Sequence, residues 1–213
     1  MKIGVFDTGK GGEFVASKLR ETFPEHKFLV INDQKNAPYG TKTDAKIRQL
    51  TKEAIQRLLV CPIIIIACNT VTMVAIDHLR TIYPNHKFIG FDPAIKPAVA
   101  GTKTNKVMIL ATTATLNSDR YKKLKAKFAY EVEVFEPDCS SWARKIDDGE
   151  FSDTDLDPIT GVVRREGIDQ IVLGCTHYLA IEERIFEILP KVQVQNPMSS
   201  VARQLAKIIS EKS

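Results

Sequence analysis

Short apolar runs alternate along the chain with stretches in which apolar residues recur at helical spacing. Alternation of this kind predicts an α/β fold with mostly parallel sheets flanked by helices. The predicted strands are Ile3–Phe6, Lys27–Ile31, Ile63–Ala67, Phe88–Phe91, Lys106–Leu110, Glu131–Phe135, Ile171–Leu173 and Val192–Gln195. The predicted helices are Thr43–Leu59, Val71–Ile82, Leu116–Phe128, Ile181–Leu189 and a final helix, Val201–Ile209.

Two of these runs, Ile63–Ile66 and Ile171–Leu173, are apolar at every position, which is typical of central strands covered on both faces. Each leads directly into a cysteine, Cys68 or Cys175, and each cysteine precedes a predicted helix. The two cysteines therefore occupy equivalent places, about half a chain apart. This predicts two similar α/β domains with an active site in the cleft between them, although the halves are too dissimilar in sequence to establish a repeat.

The domain boundary is predicted near Pro97–Gly101, where the first half of the pattern ends. The final helix is expected to pack back on the first half. The first domain is then predicted to contain residues 1–97 and 196–213, and the second domain residues 98–195.

Polar residues collect after the predicted strands, where ligands bind in open α/β sheets. The candidate site residues of the first half are Asp7, Thr8, Asp33, Pro38, Tyr39, Gly40, Cys68, Asn69 and Thr70. In the second half they are Thr112, Thr115, Cys175, Thr176 and His177. Two thiols, two carboxylates, an imidazole and several hydroxyls are therefore predicted to belong to one crevice.

The glycine-rich turn Gly9-Lys10-Gly11-Gly12 matches neither common phosphate-binding fingerprint. No Ser or Thr follows Lys10 as GxxxxGK[ST] requires, and the glycine spacing is not GxGxxG. Two interpretations stay open: close approach of the backbone to a small anion at a helix N-terminus, or a plain tight turn before a helix.

Cys68, Cys175 and His177 could together supply three zinc ligands. The chain contains no CxxC or HxxxH spacing, however, and only four histidines. The sequence therefore predicts neither a metal ion nor an organic cofactor.

Composition narrows the class of protein further. The 213 residues are 44% hydrophobic and 26% charged, as in ordinary globular proteins, and a net charge of +4 gives no indication of nucleic-acid binding. No apolar run reaches the roughly 18 residues of a membrane helix, and the chain begins with a strand and not with a signal-peptide pattern. We expect a cytoplasmic protein with reduced thiols and neither nucleic-acid nor membrane partners.

Two thiols at equivalent strand ends suit the exchange of the α-hydrogen of an amino acid. That reaction needs a base on one face of the α-carbon and an acid on the other, roles that a thiolate and a thiol can exchange. A single buried cysteine is usually a core residue, but that explanation weakens for a matched pair. Because helix N-termini lower thiol pKa values, we expect both cysteines to be moderately activated.

The chain resembles glutamate racemases at several motifs that keep their order. These are Ile3-Gly4-Val5-Phe6-Asp7-Thr8-Gly9, Pro38-Tyr39-Gly40, Ala67-Cys68-Asn69-Thr70, Pro93-Ala94-Ile95-Lys96-Pro97-Ala98, Ala111-Thr112 with Thr115 and Ser118, and Leu173-Gly174-Cys175-Thr176-His177-Tyr178. The resemblance implies two α/β domains closing over glutamate and catalysis without pyridoxal phosphate, metal or nucleotide. It also implies a role in supplying D-glutamate for peptidoglycan.

The same resemblance assigns roles to individual residues. Cys68 and Cys175 would be the catalytic pair, with Asp7 near Cys68 and His177 near Cys175 as further catalytic residues. The implied substrate-binding residues are Asp7, Thr8, Asp33, Pro38, Tyr39, Gly40, Asn69, Thr70, Thr112, Thr115, Thr176 and His177.

The chain also departs from the family pattern. Asp147 stands where the family has Glu, in the segment from Cys139 that also contains Trp142 and Arg144. Three functions are therefore considered: a glutamate racemase, a racemase of aspartate or another acidic amino acid, and a catalytically weak member that acts as a binding or regulatory protein. A homodimer is the assembly considered.

Overall fold

The protein is described here by a computed structural model that covers residues 1–211. It contains two compact units, one formed by Met1–Asp92 with the chain from Pro197 onward and the other by Pro93–Asn196. Each unit has a four-stranded sheet in which every strand pair is parallel. The predicted fold class, two α/β units with parallel sheets flanked by helices, is confirmed.

The elements follow the chain in order. The first unit contains β1 (Lys2–Asp7), α1 (Gly11–Thr22), β2 (Lys27–Asn32), α2 (Asp44–Ala54), β3 (Ile63–Ile66), α3 (Asn69–Ile82) and β4 (Lys87–Gly90). The second contains α4 (Ile95–Gly101), β5 (Lys106–Ala111), α5 (Thr113–Asn117), α6 (Asp119–Phe128), β6 (Glu133–Phe135), α7 (Trp142–Asp148), α8 (Asp153–Glu166), β7 (Gln170–Gly174), α9 (Glu182–Ile188) and β8 (Gln193–Gln195). The last helix, α10 (Met198–Ser210), belongs to the first unit and contacts α1 and β4.

The two sheets have the same topology. Their strand orders are β2-β1-β3-β4 and β6-β5-β7-β8, so each unit places its first and third strands at the centre. Strand β3 is fully buried along its length, and so is β7, as their unbroken apolar runs predict. Burying each isoleucine of β3 stabilises the fold by about 1.5–3 kcal/mol relative to leaving it exposed.

Three helical segments differ from the sequence prediction. The predicted helix Leu116–Phe128 is wrong as a single helix, because Ser118 adopts an extended backbone (φ −66°, ψ 145°) and its hydroxyl accepts from the Tyr121 amide, which starts α6. The predicted helix Thr43–Leu59 continues beyond α2 only as the 3₁₀ turn Ile55–Leu58. Cys175 is followed by a 3₁₀ turn, Thr176–Ile181, before α9 begins.

The predicted boundary near residue 97 falls inside a helix. Helix α4 contacts β7, so the segment from Pro93 belongs with the second unit. The chain returns to the first unit near its C-terminal end: Asn196 is the last residue of the second unit, and Pro197 begins the final segment of the first. Residues 212 and 213 of the predicted first domain lie outside the described residues.

Within residues 1–211, no helix combines the length and the apolar character that crossing a membrane would need.

Candidate active site

The first unit gathers Asp7, Thr8 and Cys68 at the carboxyl ends of its two central strands. Asp7 is the last residue of β1, and the Ala67 amide donates to the Phe6 carbonyl (2.8 Å), which places Cys68 beside the end of β1. The Thr8 hydroxyl donates to Cys68 Sγ (3.4 Å), and the Thr8 amide donates to Asp7 Oδ1 (2.8 Å). The predicted proximity of Asp7 and Cys68 follows from this parallel pairing.

Cys68 is not activated in the way its position at the start of α3 predicts. Burial and the negative charge of Asp7 raise the pKa of the Cys68 thiol to about 12. The Thr8 hydroxyl and the amides of Thr70 and Val71 act in the opposite direction, as a helix N-terminus should, but more weakly. The expectation of a lowered pKa at Cys68 is therefore wrong, and at neutral pH this group is a thiol and not a thiolate.

Asp33 organises the loop that carries Pro38, Tyr39 and Gly40. The Tyr39 hydroxyl donates to Asp33 Oδ2 (2.6 Å), and the Asn36 amide donates to both carboxylate oxygens (3.0 and 3.1 Å). Burial, the hydrogen bond to Asp33 and the charges of Asp33 and Cys68 all raise the Tyr39 pKa. Tyr39 therefore lies close enough to the Cys68 thiol to interact with it electrostatically. Sequence reasoning did not identify Asn36, which no strand-end pattern marks.

Asn69 and Thr70 form the first turn of α3 directly after Cys68, and both are buried. The Asn69 side-chain amide donates to the backbone carbonyl of Phe91 (2.7 Å), just past β4. Its side-chain oxygen is buried without a hydrogen-bond partner. A buried acceptor of this kind beside a thiol suits a donor group of a bound molecule, such as an ammonium.

Close packing explains why the turn after β1 contains a glycine at position 12. A Cβ at Gly12 would lie 2.8 Å from the Asp7 Cβ and closer still to the Asn32 side-chain oxygen. Only glycine lets the start of α1 approach the ends of β1 and β2 this closely.

The second unit places Cys175, His177 and Asp147 in a chain of contacts. Cys175 Sγ lies 3.6 Å from His177 Nδ1, and His177 Nε2 lies 3.0 Å from Asp147 Oδ2. Cys175 immediately follows β7, His177 lies in the turn Thr176–Ile181, and Asp147 is near the end of α7. A thiol, an imidazole and a carboxylate in this order can move the thiol proton to the imidazole.

Thr112 and Thr115 lie at the equivalent of the Asp7–Thr8 position, after the first central strand of the second unit. Thr112 follows β5 directly, and its hydroxyl lies 3.1 Å from that of Thr115 and accepts from the Thr115 amide (3.3 Å). Strand β5 pairs with β7 up to Ala111 and Gly174, which brings Thr112 and Cys175 to one sheet edge. Thr176, the first residue of the turn, is buried there too.

The four cysteines, Cys61, Cys68, Cys139 and Cys175, are all buried free thiols. Among residues 1–211, no group of three or more His, Cys, Asp or Glu side chains is arranged to hold a metal ion.

Raising the pH is expected to destabilise the fold through its buried thiols. Burial raises the pKa of both Cys68 and Cys139 to about 12, whereas an unfolded thiol titrates near 8.5. The folded state therefore holds these protons more tightly, and this stabilisation is complete below pH ~8.5 and is lost as pH rises towards ~12. Each thiol should contribute a slope of about 1.4 kcal/mol per pH unit in that window.

Urea unfolding at pH ~8 and ~10 measures this slope. Cys139→Ala should remove the contribution of Cys139 to the slope, so that the free energy of unfolding depends less steeply on pH. An unchanged slope in that variant would show that the Cys139 thiol does not titrate differently in the two states.

Comparison with known proteins places the chain. The family model described as Asp/Glu/Hydantoin racemase matches residues 13–205. The chain therefore belongs to the Asp/Glu/hydantoin racemase family.

Individual members of this racemase family resemble the chain over nearly its whole length. The glutamate racemase of Pseudomonas paraeruginosa is 34% identical, over 99% of this chain and 82% of that protein. Escherichia coli glutamate racemase, solved with L-glutamate and the activator UDP-MurNAc-ala, superposes with a TM-score of 0.85 at 27% identity, over 98% of this chain and 82% of the other. Francisella tularensis glutamate racemase, solved with D-glutamate, gives 0.83 at 29% identity, over 99% and 81%.

Proposed function

We propose that this racemase-family chain is a cofactor-independent glutamate racemase, in which Cys68 and Cys175 exchange the α-hydrogen of glutamate from opposite faces. The observation that carries the proposal is the equivalence of the two thiols. Each unit has the same strand order, and each places a cysteine just beyond the carboxyl end of its third strand. The relatives solved with L-glutamate and with D-glutamate support the choice of substrate.

In the proposed reaction, one cysteine as a thiolate takes the proton from the α-carbon, and the electron pair stays on that carbon. The other cysteine, as a thiol, delivers its proton to the opposite face. The product is the other enantiomer, and the two cysteines have exchanged protonation states. A Cys68 pKa of about 12 keeps this thiol protonated at neutral pH, as the donor role requires.

The neighbours of each thiol have different roles in this proposal. The charge of Asp7 raises the Cys68 pKa and so makes its thiolate a stronger base once formed. His177, held by Asp147, takes the proton of Cys175 before that cysteine acts as the base. The remaining predicted residues, Thr8, Asp33, Pro38, Tyr39, Gly40, Asn69, Thr70, Thr112, Thr115 and Thr176, are proposed to bind the substrate or to shape the loops that do.

The proposal extends to cellular role. The enzyme would act in the cytoplasm on a small amino acid and supply D-glutamate for peptidoglycan, without a nucleic-acid or membrane partner. A homodimer stays a prediction from the sequence. The second candidate function is racemisation of aspartate or another acidic amino acid. The family description names aspartate beside glutamate.

Exchange of the α-hydrogen in deuterated water tests these functions directly. Purified protein is incubated with L-glutamate, D-glutamate or L-aspartate, and loss of the α-proton signal is followed by NMR together with optical rotation. We expect both glutamate enantiomers to exchange and to interconvert. Exchange of aspartate alone would establish the second candidate, and no exchange of any acidic amino acid would support the binding or regulatory protein instead.

A further inference from the structure

We propose that Trp142 and Tyr178 are positioning residues that hold helix α7 against the Thr176–Ile181 turn, so that Asp147 meets His177 beside Cys175. The proposal rests on the proposed racemase function and deepens it. It assigns a role in one of the two proton transfers to two buried aromatic side chains, Trp142 and Tyr178.

The first contact between α7 and the turn is made through one carbonyl group. The Cys139 carbonyl accepts from the Trp142 amide (3.1 Å) and from the Tyr178 hydroxyl (2.8 Å). Tyr178 is completely buried, and burial raises its pKa well above the ordinary value, so the hydroxyl keeps its proton and acts as the donor. The start of α7 is thereby tied to the residue that follows His177.

The second contact is between aromatic rings. The Trp142 and Tyr178 ring centroids lie 5.6 Å apart with the planes at 65°, an edge-to-face arrangement. The Trp142 ring makes a second edge-to-face contact with Phe151, at 5.1 Å and 76°. The edge-to-face arrangement is favoured because the positive edge of one ring meets the negative face of the other. The rings therefore fix both the distance and the orientation of α7 relative to the turn.

These contacts lie at one end of α7, and Asp147 lies at the other. The Thr176–Ile181 turn contains both His177 and Tyr178 and follows Cys175 directly. The Tyr178 amide donates to the Cys175 carbonyl (3.1 Å), which closes the turn around His177. Helix α7 has seven residues and is held by Tyr178 at its first residue, Trp142. Its sixth residue, Asp147, places Oδ2 at 3.0 Å from His177 Nε2. Loosening the aromatic contact should therefore move the carboxylate away from the imidazole.

Small displacements of catalytic groups have large effects, since about 1 Å of misplacement can cost on the order of 10²-fold in rate. A purely structural role for Trp142 and Tyr178 would predict something different. Loss of core packing lowers stability and affects both proton transfers alike, whereas loss of the Asp147–His177 contact affects only the transfer made by Cys175.

Elimination from 3-chloroglutamate separates the two transfers, because it needs only one base. The base removes the α-proton, the freed electron pair forms a second bond between the α- and β-carbons, and chloride leaves the β-carbon with its bonding pair. The enamine then tautomerises and is hydrolysed to 2-oxoglutarate and ammonium, which are measured. The configuration at the α-carbon selects the thiol that reacts, and Cys175→Ser identifies the enantiomer that depends on Cys175.

We expect Tyr178→Phe, which keeps the ring and removes the hydroxyl, to lower kcat for that enantiomer by about tenfold. Trp142→Leu should lower it by on the order of 10²-fold, and Trp142→Phe should restore most of the loss. Elimination from the other enantiomer should stay within about twofold of wild type in all three variants.

The matched control is Tyr121→Phe. It removes another buried tyrosine hydroxyl of the same unit, one that lies on α6 and donates to Glu136. It should lower the midpoint of thermal unfolding about as much as Tyr178→Phe and leave both eliminations equal. Equal losses with both enantiomers in the Trp142 and Tyr178 variants would overturn the positioning role alone. A wild-type protein that neither exchanges nor eliminates would instead overturn the proposed function.

Discussion

Cys68→Ser and Cys175→Ser should each lower racemisation of glutamate by on the order of 10²–10⁴-fold. A hydroxyl is a far weaker acid than a thiol, so at neutral pH it does not supply the base that the α-carbon requires. Because every turnover of the proposed reaction uses both groups in either direction, kcat/KM should fall for L- and D-glutamate together. The measurement is initial rate in both directions, by optical rotation and by deuterium incorporation.

The same two variants should differ in elimination. Each retains one thiol, and elimination from 3-chloroglutamate needs only one proton transfer. Cys68→Ser should therefore process one enantiomer at the α-carbon and Cys175→Ser the other. If both variants lose the same enantiomer, the two thiols do not act on opposite faces.

Cys61→Ser is the control for this pair. Cys61 is a fully buried free thiol close to the amino end of β3, the opposite end of the strand from Cys68. Replacing it perturbs the core by the same change of atom, and racemisation should remain near the wild-type rate. Near wild-type racemisation in Cys68→Ser or Cys175→Ser would mean that the two-thiol mechanism is wrong for this protein.

The parts of the fold that could be predicted depend on local pattern. Unbroken apolar runs identify the central strands β3 and β7, because a strand covered on both faces has no polar positions to alternate. Once the sheets are parallel, residues after the strands must share one edge. That is why Asp7, Thr8 and Cys68 could be expected together from positions 60 residues apart.

Other features depend on three-dimensional surroundings that no pattern encodes. The pKa of Cys68 depends on whether burial and the charge of Asp7 outweigh the helix amides, and that balance is set by packing. The helix break at Ser118 depends on a local hydrogen bond from the Tyr121 amide to the Ser118 hydroxyl, although the apolar residues keep helical spacing through this position. Asp147 could be noticed as a replacement for Glu, but its contact with His177, 30 residues away, follows only from how α7 packs on the turn.

Asp147→Asn is expected to lower racemisation strongly, although Asp147 lies one residue removed from the thiol in the chain Cys175–His177–Asp147. The Asp147 carboxylate, 3.0 Å from His177 Nε2, makes that nitrogen the N–H donor and leaves Nδ1 as the acceptor towards Cys175 Sγ. Nδ1 can then take the thiol proton, and the carboxylate stabilises the imidazolium that forms. An asparagine has no charge, and its amide can donate to Nε2, which would move the ring proton to Nδ1.

With the ring proton on Nδ1, His177 can no longer accept from Cys175. We expect kcat/KM for glutamate to fall by on the order of 10²–10³-fold in both directions, because the thiolate of Cys175 is needed in each full cycle. Elimination from 3-chloroglutamate should fall only for the enantiomer that depends on Cys175. Asp147→Glu should recover part of the activity, since it restores the charge although its carboxylate is carried one methylene further from the helix.

Asp148→Asn provides a control that differs by one position. Asp148 is the next residue of α7, is exposed, and pairs with Arg144 (3.4 Å) in the same surface turn. Exposed pairs of this kind contribute about 0–1 kcal/mol, so this variant should racemise like wild type. If Asp148→Asn and Asp147→Asn behave alike, or if Asp147→Asn slows the elimination of both enantiomers equally, the loss comes from altered charge or folding. Only a large loss confined to Asp147→Asn and to the Cys175-dependent enantiomer supports the imidazole as the group that deprotonates Cys175.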